Sequence, residues 1–261
     1  MPEPIITLTT DFGEDSPYVA AMKGVILGIN PAARLVDLSH QIPPQNVRHT
    51  AFFLAEAIPY FPTGVIHVVV VDPGVGSQRA LLYVEIAGHR LLVPDNGCWT
   101  FITGGLPAVI RLAESNYWRR PVSNTFHGRD ILAPVAGHLS LGVSTHLLGQ
   151  PAKEWVRLEM PRPRLEADCL TGDVVFVDHF GNLITNIPGP AFLALAEREV
   201  QITVDGQEVT RRVSCYAEAP PGTLVALVSS GGTLEVAIVQ GSAARQLRAG
   251  VGAPVIVTVS P

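Results

Sequence analysis

The chain is poor in several features that would point away from a soluble enzyme. Only 16% of its residues are charged, the formal net charge is −5, and no basic run occurs. A nucleic-acid backbone needs clustered Lys and Arg, so nucleic acid is not an expected partner. Cysteine is scarce: Cys98, Cys169 and Cys215 are odd in number, far apart and in no metal-ligand spacing. They are expected to be reduced, mostly buried thiols, which suits a cytoplasmic location. The N-terminus lacks a basic n-region and an apolar h-region. Long apolar runs are missing too. The longest aliphatic stretch, residues 65–71, is interrupted by His67 and is far too short to cross a bilayer. No membrane association is expected.

What the chain does have is apolar bulk. Hydrophobic residues make up 47% of 261, enough for a large core and about two domains. Residues 5–9 form a β-rich run ending at Asp11-Phe12-Gly13. Ser16-Pro17 then offers a cap and a first-turn proline. Val19, Met22, Val25, Ile26 and Ile29 follow at helical spacing until Asn30-Pro31. Residues 34–38, 65–71, 81–86 and 108–112 are predicted strands, and 47–58 and 131–141 predicted helices. The run 65–71 has the β-branched continuity of a strand covered on both faces. This alternation predicts an α/β fold, with an N-terminal layered α/β domain (1–160) built on a largely parallel sheet.

The character changes at Pro161-Arg162-Pro163-Arg164, read as a linker. Beyond it, residues 173–177, 183–187, 201–204, 208–213, 224–228, 234–239 and 255–259 are predicted strands. Asp205-Gly206 is a two-residue hairpin signal, because both turn positions favour positive φ. A smaller C-terminal all-β, barrel-like domain (165–261) is expected.

Candidate chemistry collects where predicted strands end. Asp11 and Asp72 follow the strands at 5–9 and 65–71, and ligands of open α/β sheets bind beyond the carboxyl ends of strands. The segment Asp72-Pro73-Gly74-Val75-Gly76-Ser77-Gln78-Arg79 supplies a tight loop with an acid and a guanidinium. It lacks the Gly-Lys-Ser/Thr of a phosphate-binding loop. Phe126-His127-Gly128-Arg129-Asp130 sets a histidine just before a helix N-terminus, which favours a neutral imidazole. Spacing alone reaches a small-molecule α/β enzyme.

Four motifs then stand in order across both domains: Thr10-Asp11-Phe12-Gly13; Val71 to Gly76 with Arg79; Phe126 to Asp130; and Asp178-His179-Phe180-Gly181-Asn182 with Thr185-Asn186-Ile187. From residue 5 to about residue 258 the chain resembles the S-adenosyl-L-methionine (SAM) hydroxide adenosyltransferase family, relatives of the fluorinase and chlorinase enzymes. The resemblance implies hydrolysis of SAM to adenosine and methionine, no cofactor and no metal, and a homotrimer with active sites at subunit interfaces. It makes Asp72, Arg79 and His127 the catalytic trio that holds and activates water. It assigns Asp11 to the ribose hydroxyls, Asp178 to the methionine ammonium, Asn182 to the adenine edge, and Phe126 and Phe180 to the substrate pocket as apolar residues. Ser230 would meet the methionine carboxylate, with Gly231 where the fluorinase has arginine. Asp72 and His127 stand where the fluorinase has tyrosines, and Gly128 where it has the halide-binding serine. An acid beside the nucleophile repels halide and favours water. Two other readings share the same residues: a divalent-metal hydrolase ligated by Asp11, Asp72, His127 and Asp95, and a non-catalytic module that binds SAM or adenosine.

Overall fold

A computed structural model describes residues 3–259, so Met1, Pro2, Ser260 and Pro261, the outer ends of the two expected domains, lie outside the described residues. The chain forms two compact units, one ending at Leu158 and the other beginning at Glu159.

The first unit contains β1 (Ile5–Thr10), α1 (Tyr18–Ile29), β2 (Arg34–Ser39), α2 (Val47–Ala57), β3 (Ile66–Val70), β4 (Leu81–Ile86), β5 (His89–Pro94), β6 (Ala108–Leu112), α3 (Ala133–Ser140) and β7 (Gly149–Pro151). They make one seven-stranded sheet in the order β2-β1-β3-β5-β4-β6-β7. The run β2-β1-β3-β5 is parallel, and the remaining pairs are antiparallel. Every residue of β3 is buried, as its β-branched run requires. On one face Ile66, Val68 and Val70 pack with Met22 and Ile26 of α1 and with Val135 and Leu139 of α3. On the other, Val69 packs with Leu54 of α2, Leu82 and Leu91. The unit is therefore layered, helix on sheet on helix. Within its core, Thr7 Oγ1 meets His67 Nδ1 at 2.8 Å and His67 Nε2 lies 3.3 Å from His89 Nδ1. Burial, reinforced by His89, lowers the His67 pKa to about 3.

Three local expectations change. Ser16 does not cap α1: its hydroxyl donates to the Phe12 carbonyl, and Pro17 immediately precedes the helix. The helix expected from residue 131 is preceded by a π-helical turn, Gly128–Leu132, before regular α3. β5 is a strand that sequence reasoning missed. It forms a hairpin with β4 through Ala87-Gly88, with φ of 52° and 79°. Alanine is an uncommon residue for that left-handed position, so the turn carries little signature.

The second unit contains β8 (Arg164–Glu166), β9 (Cys169–Val177), β10 (Leu183–Pro188), α4 (Gly189–Leu195), β11 (Val200–Val204), β12 (Gln207–Glu208), β13 (Arg211–Arg212), β14 (Leu224–Val228), β15 (Thr233–Ile238), α5 (Ala243–Leu247) and β16 (Pro254–Val259). The order is β12-β11-β16-β9-β10-β15-β14-β13, with β8 also on β9. β9 changes partner midway. Cys169 to Asp173 pair with β16, whereas Val174 to Val177 pair with β10. One strand thus serves two stretches of sheet, and the sheet curls as a barrel-like fold requires. Asp205-Gly206 makes the expected turn, with φ of 49° and 76°. The strand expected over 208–213 is instead split between β12 and β13, and β13 runs parallel to β14. Of the cysteines, Cys98 alone is buried, while Cys169 is half-buried and Cys215 exposed, so the expectation of mostly buried thiols does not hold.

Candidate active site

In the first unit the parallel register sets the site's geometry. Thr10 of β1 lies opposite Val70 of β3, so Asp11 and, one residue further along its own strand, Asp72 both emerge at the carboxyl edge. Arg79, at the far end of the loop that Asp72 opens, folds back onto it. Its Nε lies 2.8 and 2.9 Å from the two Asp72 carboxylate oxygens, and its Nη2 makes a further short bond to Oδ2. The same Nη2 reaches His127 Nδ1 at 2.9 Å. The Asp72 and Arg79 side chains are 7% and 10% exposed, so this pair is largely withdrawn from water, where charge-assisted bonds strengthen. The guanidinium bridges acid and imidazole, bringing the three expected catalytic residues together.

The contact from Arg79 assigns the His127 tautomer. Nδ1 accepts, so a neutral ring carries its proton on Nε2. Burial and the Arg79 charge lower the His127 pKa, against smaller opposing pulls from Asp72 and Asp130. Two glycines let the loops close. A Cβ on Gly76, which has φ of 80°, would lie 2.5 Å from the Asn124 carbonyl oxygen, and one on Gly128 would lie 2.9 Å from Val70 Cγ1. A serine at 128 therefore could not occupy this π turn without displacing the Val70 side chain or the turn itself.

Sequence reasoning missed the anchor beneath His127. Asp130 is fully buried. It takes Arg129 Nε at 2.7 Å, Arg129 Nη2 at 2.8 Å, the Ser123 N–H at 2.9 Å and Arg119 Nη1 at 3.3 Å. Burial alone would raise its pKa, yet these donors together hold it below the usual carboxylate range. Asn96 is a second supporting residue, donating from Nδ2 to the Val71 carbonyl at 2.8 Å. Next to it, burial and the nearby Asp72 charge push the Cys98 thiol pKa up, which leaves it unreactive.

Asp11 accepts the Gln45 N–H on Oδ2 at 2.7 Å. Phe126 joins Phe12 and Tyr18 in a triangle of edge-to-face rings, with centroids 5.3 to 5.6 Å apart. Arg129 lies over the Phe126 ring at 4.9 Å. Tyr18 was not foreseen, although an aromatic at the start of a helix next to Asp11-Phe12 was a visible signal. Asp95, a residue of the metal-hydrolase reading, accepts the Val156 N–H at 2.8 Å. Among the described residues no three His, Cys, Asp or Glu side chains form a group that could hold a metal ion.

The other expected substrate residues belong to the second unit. The connection from β9 to β10 is a closed turn. Asp178 accepts the Asn182 N–H at 2.8 Å on one oxygen and Asn182 Nδ2 at 2.9 Å on the other. One of the two Asn182 amide N–H groups is thereby used, and its carbonyl oxygen remains as an acceptor for a donor. Phe180 is 74% exposed at the tip of this turn. Ser230 is exposed in the turn between β14 and β15, which Ser229 and Thr233 close.

A sheet with a charged, half-buried cluster at its carboxyl edge, followed in the chain by a curled antiparallel sheet with polar turns, defines a two-domain α/β protein suited to a small polar ligand. The family models for the SAM hydroxide adenosyltransferase N-terminal and C-terminal domains match residues 6–149 and 172–256. The chain belongs to the SAM hydroxide adenosyltransferase family. It is 40% identical over 249 residues to an (R)-S-adenosyl-L-methionine hydrolase of Salinispora tropica, with 93% of each chain covered. A fluorinase of Nocardia brasiliensis is more distant, at 26% identity with 90% of each chain covered. A crystal structure of an uncharacterized conserved protein from Thermotoga maritima superposes with a TM-score of 0.91 at 33% identity, covering 97% of this chain and 99% of that one.

Proposed function

We propose that this protein hydrolyses SAM to adenosine and L-methionine by in-line attack of water at ribose C5′. The observation that carries the reading is the Arg79 bridge between Asp72 and His127 at the carboxyl edge of the sheet. The bond from C5′ to sulfur breaks as the bond from water oxygen to C5′ forms, and the sulfur leaves with the electron pair as a neutral thioether. The leaving group therefore needs no acid, and the demand falls on the nucleophile, which must lose a proton. His127, protonated on Nε2, orients the water oxygen as a donor. Asp72 keeps one lone-pair direction on Oδ1 beyond those used by Arg79 and takes the proton. Arg79 stabilises the hydroxide character that develops. Holding the oxygen in line with C5′ supplies a large part of the rate.

Asp11 takes the ribose diol, with Phe126 and its aromatic partners as an apolar wall. Asp178 takes the ammonium, Asn182 the adenine edge through its carbonyl oxygen, Phe180 the base face and Ser230 the carboxylate. No cofactor or metal enters the reaction. Homotrimeric assembly with active sites at subunit interfaces, and a cytoplasmic location, belong to the same proposal. Among the described residues no helix is long and apolar enough to cross a membrane.

The test is to incubate chelator-treated protein with SAM in oxygen-18 water with chloride present. Adenosine labelled at the 5′ oxygen, together with free methionine, is the expected result. Retained nucleoside without turnover, activity that returns only with a divalent metal, or 5′-chloro-5′-deoxyadenosine would each overturn the reading.

A further inference from the structure

The second unit holds a buried carboxyl that the proposed mechanism leaves unused. β15 reads Thr-Leu-Glu-Val-Ala-Ile, and Glu235 is its one charge, only 4% exposed. Register fixes which way it faces. Ile184 of β10 lies opposite Phe176 of β9 on one side and Glu235 of β15 on the other. Leu183 and Val236, the alternate residues, belong to the core. Glu235 therefore stands on the face away from that core. Asp178, two residues beyond Phe176, and Asn182, two before Ile184, continue onto the same face. The Tyr216 hydroxyl donates to Glu235 Oε1.

Two carboxyl groups thus share one side of the sheet, and among the described residues neither has a salt-bridge partner. Burial raises the Glu235 pKa, and the Asp178 charge raises it further. A buried acid set against another acid is held toward its neutral form, and an arriving cation stabilises the ionised pair. The proposed substrate brings such a cation, the α-ammonium already assigned to Asp178.

We infer that Glu235, held in place by Tyr216, is a further specificity residue that shares the substrate's ammonium with Asp178. The inference rests on the SAM-hydrolase reading and extends its amino-acid pocket. One ammonium has three N–H donors, enough to serve both carboxylates. Glu235 touches no reacting atom, so its effect falls on binding of the amino-acid arm.

The experiment compares wild type, Glu235→Gln and Tyr216→Phe on two substrates: SAM, and an adenosyl sulfonium whose amino-acid arm is cut back to a methyl group. Adenosine affinity is measured alongside. For Glu235→Gln the KM for SAM should rise about tenfold or more, with kcat, truncated-substrate kinetics and adenosine affinity unchanged. Tyr216→Phe should move the same KM in the same direction by less, and it decides the matter if the Gln variant does not fold. An unchanged KM for SAM, or an equal loss on both substrates and on adenosine, would overturn the inference. Absence of SAM hydrolysis by wild type would instead remove the parent reading, and that is visible before any variant is made.

Discussion

Two Asp–Arg pairs flank His127, and they work in opposite ways. Asp72 and Arg79 are bound face to face, yet the same guanidinium also reaches the imidazole, so the pair points its charge toward the histidine. Asp130 is fully buried and spends its oxygens on Arg129, Arg119 and a backbone N–H, all within residues 119–130. Its charge is satisfied by the loop itself. One pair sits where a reaction can use it, and the other fixes the segment on which the histidine is carried. Residue type does not separate the two roles. What separates them is whether lone pairs and donors remain once the protein's own hydrogen bonds are counted.

That contrast can be broken from either side. The largest effect is expected from Asp72→Asn or Arg79→Ala, each cutting the turnover of folded protein by about 10²–10⁴-fold with adenosine affinity near wild type, alongside a lower urea midpoint because a largely buried pair loses one partner. If Arg79→Ala lost adenosine affinity in proportion to rate, its role would be binding rather than activation. Asp130→Ala should show the reverse order of effects. Removing one partner of a buried ion pair costs about 3–5 kcal/mol, read as a lower urea midpoint, with activity falling as a consequence. A variant that lost turnover while still fully folded would place Asp130 with Asp72 instead. Gly128→Ser sharpens the comparison further. Its side chain meets Val70 and Met22, so a loss of about 1–3 kcal/mol is expected, with no gain of chloride transfer. The smallest effect is in pH. The lowered His127 pKa keeps the ring neutral below its ordinary value of 6.5. The kcat/KM profile should therefore fall on the acid side with a midpoint below 6.5, and a midpoint at or above 6.5 would contradict the neutral ring that accepts from Arg79. Stability must be followed in the same series. His67 remains unprotonated in the fold down to about pH 3 while the unfolded chain takes up a proton near 6.5, so stability declines as pH falls through that window.

How far the sequence leads depends on the scale of the feature. β3 and α1 were legible because each carries a sustained apolar pattern, β-branched in β3 and helically spaced in α1. β5 was not, because the turn that starts it uses Ala87, and His89-Arg90 reads as polar although His89 is buried. The split of 208–213 into β12 and β13 follows from tertiary pairing with β14, which no local pattern encodes. The site shows the same division. Asp11 and Asp72 could be placed at strand ends from spacing, but their association with Arg79 and His127 came from resemblance to a family. Asp130 looked like an ordinary acid after an arginine, since burial does not show in composition. Glu235 was a readable anomaly, a lone charge in an apolar strand, that carried no meaning until register set it beside Asp178.

The π-helical turn Gly128–Leu132 has a consequence for how this protein can vary. Each residue of a regular helix advances the chain by about 100°, and a π turn accommodates one residue more than the α form. Deleting a single residue from 128–132 would let α3 run on as an unbroken α-helix, a locally simpler segment. It would also swing everything upstream through about a quarter of a circle, carrying the imidazole off the guanidinium. The irregular turn acts as an angular spacer, and length changes in this stretch should be tolerated far less well than substitutions.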